Sequence, residues 1–424
     1  MIEFAFASDR DGHPMQAALS LALAAPRRFE AHTVLAGHLD RAMIGMAEHL
    51  QQLDHVQPGS GRHFDLAAYY ADDLETQAWC AMHEGRHLAC IGMGFVCRLV
   101  KVCQRLGDAL LPVALTTDGS FHRAPPAARD VDLCRLIDGD VDVGIAEAQA
   151  IVAGWPEPHA WGLQCGFGAW ALFQDLLRLV WMHEMAHALC GHVGVVQDRL
   201  GLTRLHEFAA ERQSTDRVPG LDLPRHLVLQ ALETHADEFA AAWCVEQLLD
   251  VKDPASVMAG PRVDLASRLV VFNLACCVFA VMWAEAERRE RPGMSYMPPR
   301  HEQDRGVTFN PVDSSHPPAA FRYLRFRTTH QRLLDALAAQ EPQAGGLRLK
   351  VDAHSFGMLA ALERLDPRFG ELRVVTPMMA ETPQMQRLAD YEDLMLDVGD
   401  LLVPWVTQAG FVPRHLLGDA AART

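Results

Sequence analysis

Leu179-Val180-Trp181-Met182-His183-Glu184-Met185-Ala186-His187-Ala188-Leu189 is the stretch that decides how this chain is read. It is an apolar run interrupted by His-Glu-x-x-His. Residues four apart stack on one face of an α-helix, so the imidazoles of His183 and His187 can reach one metal ion. Glu184, between them, can take a proton from water held by that ion. The apolar and aromatic flanks suit a buried helix that holds its ligands rigidly.

Five letters recur by chance, and the chain holds a second copy, His83-Glu84-Gly85-Arg86-His87. Gly85 weakens a helix by about 1 kcal/mol relative to Ala. Arg86 would set a cation beside a dication. The His183 copy is therefore the metal candidate, and His83 and His87 are expected as polar residues on a surface or interface helix.

A hydrolytic zinc site needs a third protein ligand and an open fourth position. The extension HExxHxxGxxH would require Gly at 190 and His at 193, where the chain has Cys190 and Val193. Gly191 and His192 lie one residue off that frame. The better source is Ala231-Leu232-Glu233-Thr234-His235-Ala236-Asp237-Glu238-Phe239-Ala240. Glu233 and Asp237 are four apart and share a helix face. Glu233 could bind the metal while Asp237 accepts a hydrogen bond from the far nitrogen of a ligand histidine, which fixes its tautomer. His235 competes as the third ligand. It lies about 200° around the helix from Glu233, so the two cannot both face the ion. Cys190 follows the metal helix but points away from the two histidines and is not expected to be a ligand.

HExxH followed by ExxAD resembles the gluzincin metallopeptidases, in particular the HtpX-like and prenyl-protein endopeptidase family. His192, five residues after His187, stands where that family often has a histidine. Ala236-Asp237 with Phe239-Ala240 matches its ADxFA run. Ser315-His316-Pro317-Pro318-Ala319-Ala320-Phe321-Arg322 is similar to its C-terminal HPxxxxR element. The likeness covers roughly residues 170 to 330. It implies a zincin-like core in which His183, His187 and Glu233 bind Zn2+, Asp237 supports a ligand, and Glu184 is the general base of peptide hydrolysis. His316, Arg322 or Tyr296 would then assist at the cleft by stabilising an oxyanion. The implied partner is a protein or peptide substrate. Many members of the family carry several membrane-spanning helices, a feature not evident here. A second gluzincin group shares HExxH and EADxFA: intracellular peptidases that cleave bacterial repressors and regulators. The HPPxxxR element favours the first. A non-enzymatic alternative is a regulator or binding protein with a vestigial or structural zinc site; the intact Glu184 argues against it.

The composition is globular: half of the 424 residues are hydrophobic and 22% are charged. The net charge of −16 (38 basic against 54 acidic residues) disfavours nonspecific contact with nucleic acid or anionic membrane. The ten cysteines form no CxxC pair, and Cys97, Cys190, Cys244, Cys276 and Cys277 lie in apolar helical runs that read as buried thiols. With no signal peptide legible after Met1, a reducing cytoplasm is the expectation. Residues 269–284, LVVFNLACCVFAVMWA, are short for a spanning helix and read as a core helix packed behind the zinc helices, with membrane contact as the alternative.

Helical spacing covers 16–25, 34–53 and 74–106; strands are expected at Ile2–Phe6 and Leu110–Thr116. The fold class is thus mainly α with a small β component. Asp118-Gly119, Pro125-Pro126 and the run from Gly154 to Pro158 read as breaks. The spacing divides the chain into an N-terminal region (1–165), a peptidase-like core (166–335) and a C-terminal helical region (336–424). Gly191 is expected to end the metal helix, residues 198–222 to be an excursion, and Pro224 to start the helix of Glu233. The Pro-rich stretch 291–318 reads as a loop bordering the cleft, and Gly345-Gly346 as a linker.

Overall fold

The computed structural model describes residues 2–5, 34–51, 55–58, 60–71, 78–83, 85–114, 144–155, 167–202, 204–206, 217–249, 265–290, 316–341, 345–365, 367–373 and 382–413. Among them helix dominates and the sheet component is small, in keeping with a mainly α fold. In chain order the elements are β1 (Ile2–Ala5), α1 (Val34–Gln51), β2 (His55–Val56), β3 (Leu66–Ala71), β4 (Ala78–His83), β5 (Arg86–Gly92), α2 (Met93–Ala114), α3 (Ile145–Ala153), α4 (Phe167–Leu189) and α5 (His192–Val195). A five-residue π-helix, Val196–Leu200, leads to β6 (Arg204–His206), β7 (Arg217–Val218), β8 (Leu223–Pro224), α6 (Arg225–Leu249) and α7 (Leu265–Glu290). Then come α8 (Ala319–Gln340), α9 (Leu347–Leu365), a 3-10 turn at Pro367–Phe369, α10 (Gly370–Arg373), α11 (Pro383–Ala409) and β9 (Val412–Pro413).

Five strands form a mixed sheet in the order β1-β3-β5-β4-β6. β1, β3 and β5 run parallel; β4 is antiparallel to β5, and β6 to β4. Alternate side chains take opposite faces. Leu66, Ala68, Tyr70, Ala78, Cys80, Ala89 and Ile91 join the main core, while Ala67, Tyr69, Ala71, Trp79, Ala81, Leu88 and Cys90 form a second apolar cluster on the other face.

The metal-helix candidate α4 is the hub. It packs on β4 and β5, on α1 and α2, and on α6 and α7. Its residues from Ala169 to Leu189 are buried except Arg178, which is why it is apolar all round rather than amphipathic. Trp181 fixes its rotation on the sheet: its Nε1 donates to Tyr70 Oη at 2.9 Å, and that hydroxyl donates to the Leu39 carbonyl at 3.1 Å. At the other end Trp170 Nε1 donates to His38 Nδ1 at 2.8 Å.

Helix α7 contains the apolar run 269–284. By length and composition alone, Leu265–Met282 could cross a membrane, but 83% of it is buried against protein. Asn273, the one amide in the run 269–284, is matched: its Nδ2 donates to Ser355 Oγ at 3.1 Å, and its Oδ1 lies 3.1 Å from His330 Nδ1. In hydrocarbon this network would have nothing to offer; in a protein core it ties α7 to α8 and α9. The C-terminal helix α11 starts at Thr382, whose hydroxyl accepts from Met385 N at 3.2 Å, with Pro383 in the first turn. It packs on α6 and α5, and β9 pairs with β2. One apolar core therefore runs through all three sequence segments.

Two expectations are corrected. Residues 78–83 and 86–92, expected inside a helix over 74–106, form β4 and β5, and the helix begins only at Met93. These strands are buried on both faces and rich in Ala and Cys, so the period-two signal is missing and the composition imitates a helix. Leu110 to Ala114, expected as strand, continue α2. The buried positions 96, 99, 100, 103 and 106 carry helical spacing up to that point and the helix runs on. The expectations for 1–165 otherwise hold at Ile2–Ala5 and Val34–Gln51. Those for 16–25, Asp118-Gly119, Pro125-Pro126, Pro156–Pro158, Tyr296 and the stretch 291–315 lie outside the described residues.

Candidate metal centre

Helices α4 and α6 bring together three side chains named from the sequence. His183 Nε2 and His187 Nε2 lie 2.9 Å apart. Glu233 presents Oε2 3.1 Å from His183 Nε2 and Oε1 3.4 Å from His187 Nε2. The three residues form a fully buried group whose ligand atoms lie within 4.8 Å of one another. A tetrahedral ion with bonds of about 2.0–2.1 Å separates its ligand atoms by about 3.4 Å, so this spacing fits one ion with little movement.

Proton accounting supports the fit. His183 Nδ1 lies 2.9 Å from Asp237 Oδ1. Asp237 also accepts two hydrogen bonds from Arg322, Nε to Oδ2 and Nη2 to Oδ1, both 2.6 Å. Burial works to raise the Asp237 carboxyl, but the Arg322 guanidinium and the hydrogen bonds from His183 and Arg322 outweigh it and hold its pKa below the usual value. An ionised Asp237 can only accept, so His183 carries its proton on Nδ1 and directs a lone pair from Nε2 at the cluster. A second imidazole and a carboxylate face that lone pair. Burial pushes His187 down to about 3, so it is neutral at pH 7. Two imidazoles and a carboxylate turned toward one point in a dry interior could hold a metal ion.

The remaining candidates divide. His316, just ahead of α8, is buried with Nε2 4.0 Å from Glu233 Oε2, so the HPP segment does reach the centre. Arg322, one turn into α8, is committed to Asp237 and stacks over the Phe279 ring at 4.9 Å. These contacts make it a support for the carboxylate that orients His183. Glu184 is buried on the same helix as the histidines, with Cys80 of β4 close enough for its charge to raise that thiol, after burial itself. His183, Glu184 and His187 have no exposed surface.

The second HExxH copy is not a helix. His83 ends β4 and pairs with Arg86 at the start of β5, and Gly85 turns the chain with φ +85°. A non-glycine residue is strained there, so the glycine that weakened the helical reading is the one the hairpin requires. His87 is a core residue, its ring 5.5 Å from Phe64 and 5.4 Å from Phe411.

Sequence reasoning missed the partners of two residues, Arg322 and His192. The motif places Arg322 at the cleft, yet its partner is Asp237, 85 positions earlier. His192 turns its Nδ1 to His187 Nδ1 at 2.9 Å and its Nε2 to His235 Nδ1 at 3.0 Å. The only signal for the second was the 200° offset of His235, which said where it does not point.

No family model, curated protein or solved structure matches this chain.

Proposed function

We propose that the chain is a zinc-dependent peptidase of gluzincin type, with a zincin-like core formed by α4, α6 and the mixed sheet. The observation that carries this reading is the buried convergence of His183, His187 and Glu233 from two helices, with Glu184 between the two histidines. Two imidazoles and one carboxylate are a zinc-type donor set that leaves a position open for reaction. When bound, zinc supplies Lewis-acid chemistry, polarising a peptide carbonyl and making water more acidic. The chain's own residues do the rest. Asp237, held by Arg322, fixes the tautomer of His183. Glu184 accepts the proton from the attacking water and delivers it to the leaving amine. His316 stands where it can donate to developing negative charge on the carbonyl oxygen. The substrate is a protein or peptide, and a reducing cytoplasm fits the mostly buried thiols of the described cysteines.

The test is Glu184→Gln, compared with the native chain by metal analysis and by identifying new protein N-termini in cells expressing each. The expected result is retained zinc and fold with loss of the new N-termini. Proteolysis that persists in Glu184→Gln sinks the mechanism. One observation favours a second reading, a structural ion in a regulator or binding protein: the ligands and Glu184 are wholly enclosed. Bound zinc with no cleavage by the native chain would select it.

A further inference from the structure

Beside the first centre lies a second group of ligand-type side chains: Cys190, His192 and His235, whose ligand atoms lie within 4.8 Å of one another. They come from two places. Cys190 is the residue that follows α4, and Gly191 in the left-handed conformation (φ +79°) turns the chain so that His192 opens α5. His235 stands on α6, two residues past Glu233 and therefore on the opposite face of that helix. His192 Nε2 and His235 Nδ1 are already 3.0 Å apart with ring centroids at 5.0 Å. Cys190 is half-buried, His192 buried and His235 exposed. His235 lines an open groove between α6, α8 and α11, so an ion can arrive from solvent without passing the first centre.

We propose that Cys190, His192 and His235 form a second metal site, one that takes Zn2+ or a similar borderline-soft divalent ion. One thiolate and two imidazoles are ligands of that preference, and a hard cation such as Mg2+ or Ca2+ finds no oxygen among them. Burial pushes the Cys190 thiol up to about 12, so binding at neutral pH releases its proton to solvent as the metal–sulfur bond forms. Glu238, on the same side of α6, is ion-paired with Arg325, which leaves the fourth position of a tetrahedral ion to water. The site clamps α6 to the turn that ends α4, the two helices that carry the first centre. It meets that centre directly through the 2.9 Å contact between His192 Nδ1 and His187 Nδ1.

Sulfur separates the two sites experimentally, because the first has none. Titration of the full chain with Co2+ is expected to produce a thiolate-to-cobalt charge-transfer band in the near ultraviolet. The band should vanish in Cys190→Ser and in His235→Ala, the latter an exposed position whose loss leaves the fold intact by circular dichroism. It should persist in Glu233→Gln, which disables only the first centre, so that failure of the peptidase reading and failure of this one are distinguishable. No sulfur band in the native chain at saturating Co2+, or a band that survives either Cys190→Ser or His235→Ala, overturns the proposal.

Discussion

Asp237 has two partners, and both favour its ionised form. His183 offers it a single N–H, and Arg322 offers a planar fork at 2.6 Å to each oxygen. Removing the carboxylate charge would leave the guanidinium buried beside it without a counter-charge, a change of about 3–5 kcal/mol in stability. Asp237→Asn therefore tests folding more than metal binding. Arg322→Lys is the sharper variant, because it keeps the charge and loses the two-point geometry that holds the carboxylate in plane. Metal affinity measured by chelator competition is expected to fall about 10–100-fold, the usual effect of losing an outer partner of a ligand histidine. An unchanged affinity would show that His183 is oriented by something else. The contrast at this scale is between Glu233 and Arg322. Glu233 was legible because it shares a helix with Asp237 at a spacing of four. Arg322 was visible as a motif residue but not as the partner of Asp237, since no local periodicity relates two residues 85 apart.

The same five letters, His-Glu-x-x-His, end as a helix at 183 and as a hairpin at 83, and the difference lies in what surrounds them. The 183 copy has long apolar flanks buried on every side of α4; the 83 copy has Gly85, and β4 and β5 pair across it. Strand content here was hidden because β3, β4 and β5 bury both faces with Ala, Cys and Tyr, which removes the alternation that identifies strands. A second element-scale decision falls at Gly191. It closes α4 in a left-handed conformation, and an added Cβ would lie 2.3 Å from Gly410 N and 2.5 Å from Ala409 C. Phe411 N donates to the Leu189 carbonyl at 2.7 Å in the same place, so the C-terminal segment clasps the end of the metal helix. Gly191→Ala combines a disfavoured backbone with a clash against backbone that cannot swing aside. A loss of about 2–5 kcal/mol is expected in urea unfolding. A variant of native stability would mean that the clasp opens freely. The expectation that Gly191 ends the helix came from glycine statistics; that its lack of a side chain also admits residues 409–411 required the fold.

At the scale of the molecule, three histidines away from the metal centre are buried in one continuous core. Burial lowers His38, His87 and His330 to about 4 each, with Arg41 adding to the effect at His38. In the unfolded chain each takes a proton below the ordinary value of 6.5; in the fold each stays neutral until about pH 4. The unfolded state thus binds more protons across that window. Stability is full above pH 6.5 and falls as pH drops toward 4, by about 1.4 kcal/mol per unit for each such group. Asp175, raised to about 6 by burial, acts in the opposite sense below that pH, since the fold then holds a proton that the unfolded chain has released. Three groups against one leave a net loss. The urea midpoint is expected to fall steadily from pH 7 to pH 5, and a flat profile would show that these rings reach solvent.

What the sequence determined by itself is local chemistry. A helix repeats every 3.6 residues, so His183 and His187 had to share one face, and Glu233 and Asp237 another, wherever those helices were packed. The mainly helical class, the core placement of 269–284 and the burial of most cysteines also followed from short-range pattern and composition. The tertiary structure decided which faces meet. It brought α6 against α4 so that Glu233, 50 residues away, closes on His183, and it carried His316 to Glu233 and Arg322 to Asp237. It turned the second HExxH copy into a hairpin and set His235 beside His192 and Cys190. These outcomes depend on packing between segments far apart in the chain, for which no spacing along the sequence is a signal.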